Sequence, residues 1–289
     1  MRALRRPGRG RNLVGIALAV TMLSMMLPSP AAAVITGSGG APLTDDTFNQ
    51  HHPEAHSGVV VWEDSRNGNV DIYAKEIVEF AVCTAAGTQS EPAISEDFIV
   101  WTDYRSGTGD IYAYELGTGT ESPLCVNAAQ QMAPDIYERY VVWEDLRNGN
   151  KDIYGYDLVT HTEFPVCVAT GNQTGPAVWG DMFVWKDERL SVNGDIWGWD
   201  ASVGGPPMPI VMSANLKTSV DICQEWVVWA EYISGNADIR AYNLSTDRAR
   251  TVYAGSGTQY LPRLDADWLV FENLQPGNPD IELDRKSVV

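Results

Sequence analysis

Residues 131–158 read Q-M-A-P-D-I-Y-E-R-Y-V-V-W-E-D-L-R-N-G-N-K-D-I-Y-G-Y-D-L, and the pattern of this stretch is written six times in the chain. Trp143 has counterparts at Trp62, Trp101, Trp185 and Trp229, with Phe271 in the sixth copy; the intervals are 39, 42, 42, 44 and 42 residues. Nine residues before each aromatic stand Pro53, Pro92, Pro134, Pro176, Val220 and Pro262. Twelve before stand Gln50, Gln89, Gln131, Gln173, Lys217 and Gln259. After each come Asp71, Asp110, Asp152, Asp195, Asp238 and Asp280, every one followed by Ile. A period of about 40–45 residues that is rich in short strands is the signature of propeller blades.

One copy resolves into strands. Tyr140-Val141-Val142-Trp143 is continuously apolar, as expected of a strand buried on both faces. Arg147-Asn148-Gly149-Asn150 is a hairpin turn, because Asn-Gly accepts positive φ at both positions. Asp152 to Leu158 alternates, with Tyr154, Tyr156 and Leu158 on one face. The position three past the Asp is small in five copies (Ala74, Ala113, Gly155, Gly198, Ala241), which is expected to admit the aromatic face of an adjacent blade. A fourth strand falls near Phe164–Val168. The expected fold is an all-β, six-bladed β-propeller of four-stranded antiparallel blades starting near residues 50, 89, 131, 173, 217 and 259. The sixth copy stops after its third strand. Ala41-Pro42-Leu43-Thr44 lies 18 residues before Trp62, at the fourth-strand position, so an N-terminal strand is expected to close the last blade and remove unpaired edges.

The ends and the composition bound the setting. Residues 1–33 read as a secretory signal: Arg2, Arg5, Arg6, Arg9 and Arg11, an apolar run from Leu13 to Leu27, and Ala31-Ala32-Ala33 at the cleavage site. Arg5-Arg6 also fits a twin-arginine route, although Pro7-Gly8 follows. The domain is then 34–289, exported to a periplasm, cell surface or medium, with no membrane span in the mature chain. Loss of the five arginines and no acids takes the net charge from −18 to −23 over the remaining 256 residues. That surface repels nucleic acid and anionic lipid. Cys83, Cys125, Cys167 and Cys223 read as small buried hydrophobes rather than a disulfide framework. The absence of C-x-x-C excludes a zinc site of that type.

The pattern V-V-W-x-D-x-R-N-G-N-x-D-I-Y-x-Y-D-L resembles the repeat of TolB-type propellers and of bacterial and archaeal cell-surface propellers. The resemblance runs from about Leu43 to Leu283. It implies a propeller fold but no single function, since such proteins include scaffolds, surface proteins and a few enzymes. The helical N-terminal domain that accompanies TolB is not expected here, because only about ten residues separate the signal-like segment from the first expected strand.

Asp64/Arg66, Asp103/Arg105, Asp145/Arg147 and Asp187/Arg189 repeat after each Trp, and copies five and six lose the pair (Glu231/Ile233, Asn273/Gln275). They form either a partner-binding polar ring or an Asp–Arg pair that ties each hairpin down. Asn148 to Asp152 carries the ingredients of a weak divalent-cation loop without the closing Glu of an EF-hand; no other cofactor is expected. His51, His52 and His56 cluster in the first strand, apart from His161, and are the candidate catalytic histidines. No nucleophile, P-loop or Rossmann motif is present, so no catalytic residue is assigned. Asn172 and Asn243 open glycosylation sequons. The leading expectation is a non-catalytic binding or scaffolding propeller whose partner is a protein or polysaccharide. The alternative is a propeller-fold polysaccharide lyase or glycoside hydrolase.

Overall fold

The computed structural model describes residues 49–56, 59–75, 79–265, 268–275 and 278–285, with side chains up to Leu274. Ala41–Thr44 and the signal-like residues 1–33 lie outside the described residues. All described secondary structure is strand, in six antiparallel sheets taken consecutively from the chain. Sheet 1 holds β1 (Gln50–His56), β2 (Val59–Asp64), β3 (Asp71–Lys75) and β4 (Glu79–Cys83). Sheet 2 holds β5 (Gln89–Ser95), β6 (Phe98–Asp103), β7 (Asp110–Glu115) and β8 (Thr120–Cys125). Sheet 3 holds β9 (Gln131–Tyr137), β10 (Tyr140–Asp145), β11 (Asp152–Asp157) and β12 (Thr162–Cys167). Sheet 4 holds β13 (Gln173–Trp179), β14 (Met182–Asp187), β15 (Asp195–Asp200) and β16 (Met208–Val211). Sheet 5 holds β17 (Lys217–Cys223), β18 (Trp226–Ile233), β19 (Asn236–Asn243) and β20 (Arg248–Tyr253). Sheet 6 has three strands, β21 (Thr258–Asp265), β22 (Trp268–Gln275) and β23 (Asn278–Arg285). The sheet starts fall where the repeat places them, and each first strand packs against the first strand of the next sheet.

The core lies between sheets. Val141, Trp143, Val100 and Ile111 share one cluster, and Val142, Ile153, Phe183 and Trp185 share the next, so each Trp strand is covered on both faces. The small-residue position has a different neighbour from the one expected. A Cβ on Gly155 would lie 2.8 Å from the Phe164 ring, and one on Gly198 would lie 2.6 Å from Ile210 and Met182, all within the same sheet. Small residues there make room for a sheet's own fourth-strand side chains.

Every first strand carries the same bulge. The residue before the Pro position adopts left-handed φ: His52 (46°), Glu91 (55°), Ala133 (51°), Gly175 (57°), Ser219 (56°) and Leu261 (46°). Pairing with the second strand shifts register at the same point. A bulge of this kind turns a backbone N–H out of the ladder. Carboxylates of neighbouring strands take three of these: the Glu91 and Gly175 N–H groups donate to Glu63 and Glu144, and the Ala133 N–H to Glu91, each at 2.8 Å.

The sheets are joined by the Trp–Asp–Arg unit. Asp103 Oδ2 accepts the Trp101 indole N–H at 3.0 Å and Arg105 Nη2 at 2.6 Å, while Oδ1 accepts the Arg105 backbone N–H at 2.9 Å. Arg105 lies 4.1 Å over the Tyr112 ring, pairs with Glu121 at 2.7 Å, and donates to Cys83 Sγ of the preceding sheet at 3.2 Å. Arg147 repeats this with Asp145, Tyr154, Glu163 and Cys125, and Arg189 with Asp187, Trp197 and Cys167. Three of the four free, buried cysteines thereby serve as acceptors between sheets. Burial pushes the Asp64 and Asp103 carboxyls up, but the arginine forks outweigh it and hold both below the usual range.

Replacement of Asp145 by Ala strands a buried indole N–H and a guanidinium. It is expected to lower stability by about 3–5 kcal/mol, against less than half of that for Glu163→Ala at the exposed end of the same arginine. Urea denaturation of the two variants checks the order.

Candidate functional site

The linkers between sheets and the hairpins between second and third strands emerge at one end of the sheets. The predicted Asp/Arg ring lies at this end. Asp64, Asp103, Asp145 and Asp187 are fully buried, while Arg66, Arg105, Arg147 and Arg189 keep 21–27% of their side chains exposed. The ring is continuous through sheets 1–4 only. In sheet 5, Glu231 instead accepts Ser213 Oγ at 2.6 Å and faces Arg240 at 3.4 Å. In sheet 6, Asn273 accepts from Gln259 at 3.1 Å. Asp152, at the proposed cation loop, is occupied by amide donors: Asn148 at 2.8 Å, Asn150 at 3.1 Å and the Ala169 N–H at 3.2 Å. Among the described residues no three His, Cys, Asp or Glu side chains are grouped to hold a metal.

The same end carries most of the exposed large apolar side chains. Val126, Val168 and Met212 follow fourth strands, Leu190 and Val192 sit in the β14–β15 hairpin, and Leu274 is the penultimate residue of β22. Val192 is 83% exposed. Among the described residues Val159, Val203 and Trp268 are exposed at the opposite end, and Leu261 within β21. Single exposed apolar residues need no explanation, but a concentration at one end marks an interaction face.

Sequence reading missed the residue after the Pro position. In the inner strands this position carries Glu54, Ala93, Asp135, Ala177, Asp221 and Arg263. Arg263 of the sixth sheet pairs with Glu54 of the first at 3.7 Å. Asp135 accepts the Val178 N–H at 2.8 Å and Asp221 the Leu264 N–H at 2.6 Å, each across to the next inner strand. Glu54 and Arg263 keep 41% and 54% of their side chains in contact with water. Burial, and then the Asp221 charge, push the Asp135 carboxyl up to about 7. Burial likewise raises Glu54, against the pull of Arg263. The signal was available: alternate copies put an acid after the Pro position, and the sixth puts a base.

The histidines do not form one cluster. His52 Nδ1 lies 2.9 Å from buried Glu63, whereas His56 faces Glu96 at 3.6 Å. The Asn243 sequon is spent on a turn, its buried side chain accepting the Ser245 and Thr246 N–H groups at 3.0 and 2.9 Å; Asn172 is exposed. No described helix is long and apolar enough to cross a membrane.

No protein-family model matches the chain, and no curated protein matches it. Solved structures do. TolB from Acinetobacter baumannii is 15% identical with a TM-score of 0.59, over 78% of this chain and 57% of that one. A prolyl endopeptidase is 16% identical with a TM-score of 0.67, over 83% and 41%. An oligogalacturonate lyase solved with manganese is 13% identical with a TM-score of 0.61, over 79% and 71%. The likeness is one of fold, and this chain is TolB-like in fold. It spans 57% and 41% of the TolB and endopeptidase chains.

A carboxyl raised from its ordinary value to about 7 is held protonated by the folded state. Its contribution to stability is therefore full below about pH 4 and is lost as pH rises to about 7. Asp135→Asn keeps the acceptor for Val178 and removes that loss. The variant is expected to match the parent melting temperature at pH 4 and to exceed it at pH 8; thermal melts across this range measure the difference.

Proposed function

We propose that the protein is an exported, non-catalytic β-propeller that binds a protein partner through the linker-and-hairpin end of its sheets. The observation that carries this reading is the concentration of Val126, Val168, Leu190, Val192, Met212 and Leu274 at that end. The Asp/Arg pairs support the same hairpins, and the arginine edges border the contact. A polysaccharide is the other partner class, less suited to a face this apolar. In this reading residues 1–33 are the export signal and 34–289 the propeller. On the same reading the six sheets close as a ring, with an N-terminal strand expected to complete sheet 6, which has three strands among the described residues; the Glu54–Arg263 pair between first and sixth sheets supports it. The periplasm or the cell surface is its place of action.

One observation favours a second reading, a polysaccharide lyase or glycoside hydrolase. His52 is oriented by buried Glu63 at 2.9 Å, an arrangement that suits a general base.

Capture from the host's envelope and secreted fractions separates the two. The binding reading expects a stoichiometric partner that is retained by the parent and lost from Leu190→Asp/Val192→Asp, two exposed positions whose change leaves the core intact. Shortening of a glycan during incubation, abolished by His52→Ala, with no retained partner, contradicts it and supports the enzyme.

A further inference from the structure

The junctions between consecutive sheets repeat a small oxygen-lined cradle. The linker into the next sheet turns two carbonyls toward the Asp that opens the third strand. An amide two residues before that Asp fills the space. Asn69 Nδ2 donates to Ala85 O (3.3 Å), Gly87 O (2.6 Å) and Asp71 Oδ1 (2.6 Å). Asn150 Nδ2 donates to Ala169 O (2.9 Å), Gly171 O (2.6 Å) and Asp152 Oδ1 (3.1 Å). Asn236 Nδ2 donates to Gly255 O (3.1 Å), Gly257 O (3.0 Å) and Asp238 Oδ1 (3.2 Å).

The junction between sheets 4 and 5 holds a different group. Lys217, which stands where the other copies have Gln, is fully buried. Its ammonium donates to Gly194 O, Ser213 O and Asn215 O at 3.0 Å each and lies 3.6 Å from Asp195 Oδ1. A buried charge is stable only when its hydrogen-bonding capacity is met and a counter-charge is near. This cradle meets both conditions, so its geometry accommodates one full positive charge.

The junction between sheets 2 and 3 has the oxygens without either plug. Asn127 and Ala129 supply the equivalent carbonyls, and Asp110 the buried carboxylate. The position two before Asp110 is Thr108, which is exposed and makes no bond to these groups. Asp110 Oδ1 accepts a single 3.3 Å bond from the Asn127 N–H, and its other oxygen accepts Ser106 Oγ at 2.6 Å. Ala129 O accepts Gln131 Nε2 at 2.8 Å, which puts that amide at the edge of the cradle. Gln131 is fully buried and its Oε1 has no donor. Gln173 and Gln259 share that lack, but their cradles contain Asn150 and Asn236. Among the described residues no side chain donates to the Asn127 carbonyl. Among the described residues this junction alone therefore lacks an amide or ammonium plug between its carboxylate and its linker carbonyls.

We propose that the junction between sheets 2 and 3 binds a monovalent cation of potassium or ammonium size, held by Asp110, the Asn127 and Ala129 carbonyls and Gln131 Oε1. One carboxylate among neutral oxygens matches one charge, as at Lys217, whereas calcium sites recruit several carboxylates. Backbone carbonyls can replace the hydration shell of a large monovalent ion. The ion takes the place of the missing side-chain plug and fastens the second sheet to the third.

The test is thermal unfolding of the purified chain in tetramethylammonium chloride, titrated with potassium chloride at constant ionic strength. A saturable rise in melting temperature of about 2–5 °C is expected, since a ligand of the native state stabilises it. Thr108→Asn restores the amide found in the sister cradles. It is expected to raise the melting temperature without potassium and to abolish most of the potassium response. A rise no larger than tetramethylammonium alone produces, an undiminished response in T108N, or a response to calcium only would each overturn the proposal. If T108N fails to fold, crystals of the parent chain grown in rubidium chloride decide: an anomalous peak beside Asp110 supports the site, and its absence overturns it.

Discussion

A fully buried carboxylate holds each of the first four sheets to its neighbourhood. It has no water to ionise into, so it must be met by donors, and the indole N–H two residues earlier and the guanidinium two residues later meet it. Because the Trp is wedged between sheets and the Arg reaches a cysteine of the preceding sheet, one local turn motif does the work of an inter-sheet tie. The carboxylate is costly to bury alone and stable when paired in this geometry. That dependence explains why the three residues recur together: no one of them can change without leaving another orphaned.

Where the unit is altered, the packing changes with it. Lengthening Asp to Glu231 in sheet 5 leaves the Trp229 indole N–H without a partner and turns the carboxylate toward Ser213. In sheet 6 neutral Asn273 replaces the acid and Phe271 the Trp, which removes both the charge and the donor that needed it. The chain is thus tightly tied through sheets 1–4 and looser through 5 and 6, and Leu190 and Val192 project from the last fully tied hairpin.

The strand order, the hairpins and the sheet boundaries were legible in the sequence because Trp, Asn-Gly and Asp-Ile each dictate a local geometry wherever they stand. The left-handed residue before the Pro position was not legible. His52, Glu91, Ala133, Ser219 and Leu261 share no chemistry, and only Gly175 announces a positive φ; the conformation is imposed by the sheet, not by the side chain. The inner-strand charges were hidden for another reason. Glu54, Asp135, Asp221 and Arg263 are far apart in sequence and interact only once the first strands face one another. The Asp/Arg pairs were legible as a motif, and their burial, unlike their spacing, depends on the neighbouring sheet. The lost amide at Thr108 reads as one substitution among many until the cradle around Lys217 shows what occupies that space.

The account rests on the buried Trp–Asp–Arg unit setting how firmly each sheet is held. Native-state hydrogen exchange on the Trp-bearing second strands measures this directly. It predicts that the amides of Ile99–Trp101, Val141–Trp143 and Phe183–Trp185 exchange only through global unfolding, while those of Leu269–Phe271 exchange faster, through local opening. Equal protection across all six second strands would contradict it.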